Sequence, residues 1–305
     1  MQPPASEGAV LGLRRAPLLA VRCREIRADD VEQVVDLLAR GFTHDRRFRN
    51  QADRVGYWVN ALKQLEVHPA PAGLPRYGYC LDADGRVVGA VLLSFARIND
   101  HLRCNVSSWY VHPDFRSYAA ILALRATSNR DTTFFNLTPA PNTWGIIERQ
   151  GFVSYALGRF IAVPALCRSP SGVRTLPCTP DIEPGAGLSL SELHLLRDHA
   201  ALGCLSLICD DGNARHPFVF DPRVRGRRLP ITRLVYCRSL NSFVRFAGAL
   251  GLYLLWRGYP LVVTDAEGPI DGVAGIFKKA SRRYWKGPHP MRLGDIAYSE
   301  MVMFG

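Results

Sequence analysis

The stretch "WYVHPDFRSYAAILAL", Trp109 to Leu124, joins a predicted strand to a predicted apolar helix through a turn marked by Pro113. A helix that begins near Arg116 carries unsatisfied N–H groups and about half a positive charge at its first turn, which suits a phosphate group. The small residues Ala119 and Ala120 allow the backbone to approach a ligand. Such sites usually contain glycine, which reaches positive φ at low cost. The stretch therefore predicts a phosphate site built without glycines, and the alternative is an ordinary joint between a strand and a helix.

Length and charge limit the classes of protein that this chain can represent. Its 305 residues are 48% apolar and 21% charged, which is ample for a buried core and suits two domains better than one. The net charge of +11 suits an anionic partner such as nucleic acid, an acidic membrane face or a phosphorylated cofactor. The alternative is a basic surface that serves solubility. Aromatic residues do not alternate with the densest basic run, residues 221–233, so the sequence does not favour a nucleic-acid platform.

The cysteines and the N-terminal segment indicate the cellular compartment of the protein. The eight cysteines are scattered, with no CxxC pair and no Cys/His spacing typical of zinc, so we expect free thiols in a reducing cytoplasm and no metal site. In residues 1–21 the arginines follow the apolar patch, the reverse of a signal peptide, and this segment is predicted to be a disordered tail. No apolar run is long enough to be predicted as a transmembrane helix.

The pattern of predicted elements indicates two similar halves. Residues 22–165 read as strand, two helices, hairpin, strand, helix, strand, short helix and strand, which predicts a mixed sheet with helices on both faces. Residues 166–187 are rich in Pro, Gly and Ser and are predicted to be a linker. Residues 188–305 then read as a helix, two strands, a helix and a strand, followed by a helix at 275–285 and a last strand at 295–304.

Two short segments suggest an internal duplication. "FRSYAAI" at 115–121 and "VRFAGAL" at 244–250 follow a strand at matching places, with Arg second and small residues fourth and fifth. The alternative is that any two units of strand and helix look alike at this level.

At these residues the first half resembles the GCN5-related N-acetyltransferase (GNAT) superfamily. The resemblance rests on "VHPDFR" at 111–116 and "PAPNTWGIIERQGF" at 139–152, each after a predicted strand, and it covers residues 22–164 well. It implies an α/β fold of the mixed α+β kind: two GNAT-like domains in tandem, each a mixed, mostly antiparallel sheet flanked by helices. The domains would span residues 22–165 and, in degenerate form, 188–305.

The resemblance also implies a binding site for acetyl-CoA or another acyl-CoA as substrate, with no metal. In that superfamily the first segment lies where a central strand parts from its neighbour and pairs with the pantetheine arm. An R/Q-x-x-G-x-G/A loop then presents N–H groups to the pyrophosphate, and an Asn and a helix ending in Gly-Phe line the other side. The implied cofactor-binding residues are Tyr110, Val111, Arg116, Ser117, Tyr118, Ala119, Ala120, Ile121 and Asn142.

The catalytic groups match the superfamily less well. Its usual proton donor is a Tyr four residues before the Gly of Gly-Phe, where this chain has Ile147. Tyr155, four residues past Gly151, is the predicted substitute, and its alternative role is to pack the sheet. Ser108 shares a strand face with Tyr110 and is predicted to hold a water or orient an acceptor, unless it is only a polar strand residue.

Two classes of function remain open from the sequence. The predicted one is an acyl-CoA-dependent acyltransferase that moves an acetyl or longer acyl group to an amine or hydroxyl of a small molecule, peptide or glycan. Its acceptor would lie in a cleft between the halves, and an acyl carrier protein is a further candidate partner. The second class is a non-catalytic module that binds acyl-CoA or a protein or anionic partner. The missing Tyr and glycines favour the module, whereas Arg116, Asn142 and Gly151-Phe152 favour the enzyme.

Overall fold

The computed structural model describes residues 20–43, 48–98, 100–223 and 230–305. The predicted N-terminal tail therefore lies outside the described residues, except for its last two positions. Within the described ranges, no helix combines the length and apolar character that crossing a membrane requires.

In its described residues, the first half contains six strands and four α-helices, as well as a 3-10 helix at Pro113–Tyr118. In chain order these are β1 (Val21–Glu25), α1 (Val31–Gly41), α2 (Gln51–Val67), β2 (Gly78–Ala83), β3 (Arg86–Ile98), β4 (His101–Val111), α3 (Ala119–Ala126), β5 (Thr133–Asn136), α4 (Trp144–Arg149) and β6 (Val153–Ala162).

The second half is simpler, because a single helix stands where the first half has α1 and α2. In chain order its elements are β7 (Arg174–Pro177), α5 (Leu190–Ala201), β8 (Leu205–Asp210), β9 (Arg215–Asp221), β10 (Ile231–Cys237), α6 (Leu240–Trp256), β11 (Leu261–Ala266), β12 (Gly275–Lys286) and α7 (Glu300–Met303).

The twelve strands found in the described ranges join one sheet in the order β1-β2-β3-β4-β5-β12-β6-β11-β10-β9-β8-β7. Neighbours are antiparallel except for β4 with β5 and β10 with β11, which are parallel. Strands β1 to β5 follow one another from one edge of the sheet toward its centre, and strands β7 to β11 do so from the opposite edge. This order confirms the predicted fold class: a mixed, mostly antiparallel sheet, repeated in tandem and flanked by helices.

The two halves exchange their last strands. β6, which ends the first half, pairs with β11 of the second, and β12, which ends the second, pairs with β5 of the first. The exchanged strands also pair with each other at the centre of the sheet. The segments 22–165 and 188–305 are therefore not separate sheets.

The structure differs from the sequence-based reading in three segments. Residues 275–285 form strand β12 instead of a helix, because pairing with β5 on one side and β6 on the other outweighs local propensity. Residues 295–304 contain a turn and helix α7 instead of a strand. The predicted linker, residues 166–187, contains strand β7, which pairs with β8.

Helices cover the sheet on two faces. Along β3, Ala90 and Leu92 pack with α1, α2 and α7, and we call this the front face. Val91 and Leu93 point the opposite way and pack with α3 and α4, on the back face. The core cluster that contains α5 and the cluster that contains α1 and α2 have partly buried residues in common, so α5 lies on the front face. Helix α6 packs against the opposite face of β8 and β9.

Candidate functional site

Strand β4 contains a bulge that changes which side chains face each side of the sheet. Ser107 pairs with Leu92 and Tyr110 pairs with Ala90, so Ser108 and Trp109 together stand opposite one residue of β3. Ser108 adopts a φ of 56°, a left-handed conformation that is uncommon for a residue other than glycine. As a result, Ser108 lines a cleft on the front face, while Trp109 packs on the back face.

Beyond this point β4 parts from β5. The ladder between them covers Arg103–Asn105 and Thr133–Phe135, whereas β4 continues to Val111. Val111 itself is buried against the back-face core and pairs with Gly89. A parallel pair that separates in this way leaves part of the backbone of β4 open to a ligand.

Side chains fill the groove that opens from this gap on the back face. Trp109, Ile147 and Phe152 line a cavity of about 20 Å³, which is room for roughly one water molecule. The Trp109 indole N–H is buried and has no hydrogen-bond partner among the residues that the structure describes. An elongated ligand therefore fits only if Trp109 moves, and a carbonyl group in the groove would satisfy its N–H.

The predicted phosphate-binding residues form a helix, not an open loop. The 3-10 helix Pro113–Tyr118 runs directly into α3, and the N–H of Ala119 donates to the carbonyl of Arg116. Ala119 therefore does not offer a free amide, contrary to the expectation from the sequence. The remaining predicted positions of this segment are exposed or half-buried: Arg116, Ser117, Tyr118, Ala120 and Ile121.

Asn142 and Tyr110 complete the predicted binding set. Asn142 is exposed in a 3-10 turn after β5, so it follows the carboxyl end of the strand parallel to β4. Parallel strands end at the same edge of a sheet, which brings Asn142 and Arg116 to one edge. Tyr110 points to the front, where its ring centroid lies 6.0 Å from that of Phe42.

The corresponding gap in the second half is filled by the chain itself. Within the described ranges, β10 pairs with β11 at Ile231–Arg233 and no further along the strand. Beyond that point the Cys237 N–H donates to the carbonyl of Gly294 at 2.8 Å, and the Ile296 N–H donates to the carbonyl of Val235 at 2.8 Å. The segment Gly294–Ile296 thus occupies the place that a ligand would take along β10.

The segment "VRFAGAL" has a structural role in α6. The helix begins at Leu240, capped by Ser239, so residues 244–250 lie in its interior and not at its N-terminus. A Cβ atom at Gly248 would lie 2.3 Å from the carbonyl oxygen of Cys167, and one at Gly251 would lie 2.1 Å from the nitrogen of Ala165. Its glycine therefore permits close packing, and the segment is not a second phosphate loop.

Tyr155 is enclosed in the sheet core. Its side chain packs in a front-face cluster with Val235 and Tyr236, and its hydroxyl has no partner among described residues. Burial raises the pKa of this hydroxyl well above its usual value, with Asp265 acting in the same direction. Such a group stays protonated, as a proton donor must, but Tyr155 does not line the front cleft or the back groove.

A large cleft lies on the front face where the two halves meet, with a volume of about 1250 Å³. Its wall is formed by aromatic residues of the first half and the C-terminal segment, and its floor by polar and charged side chains of the central strands. The lining includes Phe42, Arg49, Asp53, Trp58, Ser108, Thr138, Arg159, Asp221, Arg223, Arg233, Glu300 and Phe304.

Glu300 is a buried carboxyl group at the edge of this cleft. One carboxyl oxygen of Glu300 accepts a hydrogen bond from the Thr138 hydroxyl at 2.9 Å. The backbone N–H of Glu300 donates to the side-chain oxygen of Asn105 on β4 at 2.8 Å. The second oxygen has no partner in the part of the chain that is described. Burial raises the pKa of Glu300, so it is a stronger base than an exposed glutamate.

Two arginines on the cleft floor have no partner among the residues that the structure describes. Arg159 on β6 and Arg233 on β10 are half-buried, and neither makes a hydrogen bond or ion pair with a described residue. In contrast, Asp221 pairs with Arg223 at 2.9 Å, and Asp265 pairs with Arg283 at 3.0 Å.

Sequence reasoning missed Glu300, Arg159 and Arg233. Glu300 lies in a segment that was predicted as a strand, and the two arginines come from strands of different halves. No local motif marks any of the three. Within the described ranges, no group of three or more His, Cys, Asp or Glu side chains is placed to hold a metal ion.

Comparisons with known proteins relate this architecture to solved structures. No family model matches the chain, and no curated protein matches its sequence significantly. A GCN5-related glucosamine N-acetyltransferase region in a fungal multi-domain GH3 β-N-acetylglucosaminidase is 12% identical, with a TM-score of 0.52 over 88% of this chain. This chain matches only 38% of that fungal chain.

In two further solved structures, this chain covers a larger share of the other protein than it does in the fungal protein. A proposed acetyltransferase from Pyrococcus horikoshii is 12% identical, with a TM-score of 0.51 over 93% of this chain and 95% of that one. A GCN5-related N-acetyltransferase from Anabaena variabilis ATCC 29413 is 12% identical, with a TM-score of 0.51 over 87% and 72% of the two chains. At this identity the likeness concerns the fold alone: the chain has the fold of the GCN5-related N-acetyltransferases, repeated in two halves that share one sheet.

Proposed function

We propose that the protein is an acyl-CoA-dependent acyltransferase that acts on an amine or hydroxyl, with acyl-CoA bound in the first half and the acceptor in the front cleft. The observation that carries the proposal is the bulge of β4. Trp109 of the bulge fills the back groove beside α3, and its neighbour Ser108 lines the cleft. A thioester held along β4 would therefore meet an acceptor that enters from the front.

The second half is excluded from this proposal as an acyl-CoA site, because Gly294–Ile296 already pairs with β10. In the first half, the pantetheine arm would enter the back groove as Trp109 swings out. Arg116, Ser117 and Asn142 would then be near the phosphates, in line with the resemblance to the superfamily. The N–H at the bulge would polarise the thioester carbonyl.

Glu300 is the proposed general base. Its carboxylate takes a proton from the acceptor, directly or through one water, and the freed electron pair attacks the thioester carbonyl carbon. The carbon–sulfur bond then breaks, the acyl group stays on the acceptor, and CoA leaves as a thiolate that takes up a proton. The raised pKa of Glu300 favours the first transfer. The assignment of Tyr155 as proton donor to the thiolate stays a prediction.

The filled groove and the bonded Ala119 amide favour the second candidate, a non-catalytic module that binds its ligand without turnover. One experiment separates the two candidates. The melting temperature is measured with and without acetyl-CoA, and release of free CoA is followed over a panel of amines. A ligand at 100 times its Kd stabilises the fold by about 2.7 kcal/mol, which raises the midpoint.

Two variants and a control complete the design. Arg116→Glu is expected to remove the acetyl-CoA shift, whereas Arg130→Glu, which also changes an exposed arginine, is expected to retain it. Glu300→Gln is expected to retain the shift and lower CoA release. A shift without turnover for any amine supports the module, and the absence of any shift in the unmodified protein rejects both candidates.

A further inference from the structure

The floor of the front cleft carries two positive side chains that form no ion pair within the described part of the chain. Of the seven Arg, Asp and Glu residues that line the cleft, Arg49 pairs with Asp53 at 3.2 Å and Arg223 with Asp221 at 2.9 Å. Glu300 accepts a hydrogen bond from the Thr138 hydroxyl and forms no ion pair with a described residue. The two remaining residues are Arg159 and Arg233, which have no ion-pair partner in the described ranges.

Strand register places these two guanidinium groups on the same face of the sheet. Arg159 of β6 stands opposite Asp265 of β11, and Arg233 of β10 stands beside Val263, two residues earlier on the same strand. Residues two apart on a strand point to one side, so both arginines face the cleft. The acid between them, Asp265, is already held by Arg283 at 3.0 Å.

Burial and mutual repulsion disfavour the charged forms of the two arginines. Burial lowers the pKa of Arg233 to about 10, and the neighbouring charge of Arg159 acts in the same direction, opposed by Asp265 and Asp221. The pKa of Arg159 is also lowered, first by burial and then by Arg283. Positive groups held close together at half-buried positions favour a bound anion that compensates their charge. Perturbed groups of this kind that face a cleft are typical of binding sites.

We propose that Arg159 and Arg233 bind an anionic group, a carboxylate or a phosphate, on the acceptor that enters the front cleft. This inference rests on the proposed function, because only an acyltransferase would use the bound anion as an acyl acceptor. It adds the substrate class of the same site. A planar guanidinium donates two parallel N–H bonds to such a group, so two arginines can hold it in a fixed orientation. The acceptor's amine or hydroxyl then extends toward Ser108 and Glu300, at the other side of the cleft.

The test measures binding without acyl-CoA, so its outcome is independent of catalysis. Isothermal titration compares pairs of amines that differ by one anionic group: phosphoethanolamine with ethanolamine, and tyrosine with tyramine. We expect the anionic member of at least one pair to bind roughly tenfold or more tightly, since its charge-assisted hydrogen bonds are lost in the neutral member. Inorganic phosphate is expected to compete with it.

Matched variants locate the effect. Arg159→Gln combined with Arg233→Gln is expected to abolish the preference, whereas Arg130→Gln removes one exposed charge elsewhere and is expected to leave it unchanged. If the double variant does not fold, the proposal is tested by the affinity difference between the two members of each pair, measured on the unmodified protein. Equal affinity within every pair, binding of no member, or a folded double variant that keeps the preference overturns the proposal. Anion binding without acyl transfer would support the anion site at Arg159 and Arg233 and would reject only the proposed acyltransferase function.

Discussion

At the scale of single residues, His199 shows how burial fixes a protonation state. It is fully buried on α5, where its Nδ1–H donates to the carbonyl of Leu195 at 2.8 Å and its Nε2 accepts the N–H of Tyr298 at 3.2 Å. This pairing requires the neutral ring, because a proton on Nε2 would face another N–H. Burial is the main cause that lowers the pKa of His199 to about 4.

The low pKa of His199 predicts a loss of stability in mild acid. The unfolded ring has a pKa near 6.5, so below that pH the unfolded state takes up a proton that the folded state takes up only near pH 4. The contribution is therefore fully present above about pH 6.5 and is lost as the pH falls toward 4. Urea unfolding between pH 7.5 and 4.5 measures it. His199→Gln keeps a donor and an acceptor, and its stability should fall less steeply; an unchanged slope would contradict the prediction.

At the scale of elements, helix α6 packs against the 3-10 turn Pro164–Leu166 through glycine. Since a Cβ atom at Gly251 would lie 2.1 Å from the backbone nitrogen of Ala165, the helix must move to accept any side chain. We expect Gly251→Ala to lower the free energy of unfolding by about 1–3 kcal/mol.

Gly56 provides the matched control for this substitution. It lies in the interior of α2, and a Cβ atom there meets nothing within 4 Å. Gly56→Ala should therefore stabilise the protein by about 0.5–1 kcal/mol, because alanine is the better helix former. Chemical denaturation of both variants measures the difference. Equal effects would show that the close approach of α6 does not limit packing.

At the scale of the whole molecule, the exchanged strands β6 and β12 make each half depend on the other. A fragment of residues 20–165 lacks β12, the partner of β5, and β11, the partner of β6. We expect this fragment and the fragment 166–305 each to aggregate when expressed alone, because unpaired strand edges and core surface are exposed. Mixing the two during refolding should restore one heterodimeric particle, as measured by size-exclusion chromatography and circular dichroism.

A protease site inserted at the exposed residue Ser171 supplies the control. Cleavage there cuts the chain between β6 and β7 and should leave the two pieces associated. A fragment 20–165 that is monomeric and natively folded would show that β6 can replace β12 beside β5, and would contradict the prediction.

The sequence by itself determined the local elements and the outline of the first half. Pro113 marks the turn after β4, helical periodicity marks α1, and the hairpin at Asp82–Gly85 carries its own turn residues. These signals are local, because each depends on residues close together in the chain. They were enough to predict a mixed sheet with helices on both faces, whereas the prediction of a mostly antiparallel sheet in tandem repeat came from the resemblance to the superfamily.

Only the tertiary structure decided which strands pair at the centre and which side chains meet in the cleft. β12 becomes a strand through its partners, and Gly294–Ile296 fills the second gap because the chain returns there after β12. Arg159, Arg233 and Glu300 are far apart in sequence and share one cleft because β6, β10 and α7 converge on the front face. Such contacts are non-local, and residue type and periodicity do not encode the partner of a strand.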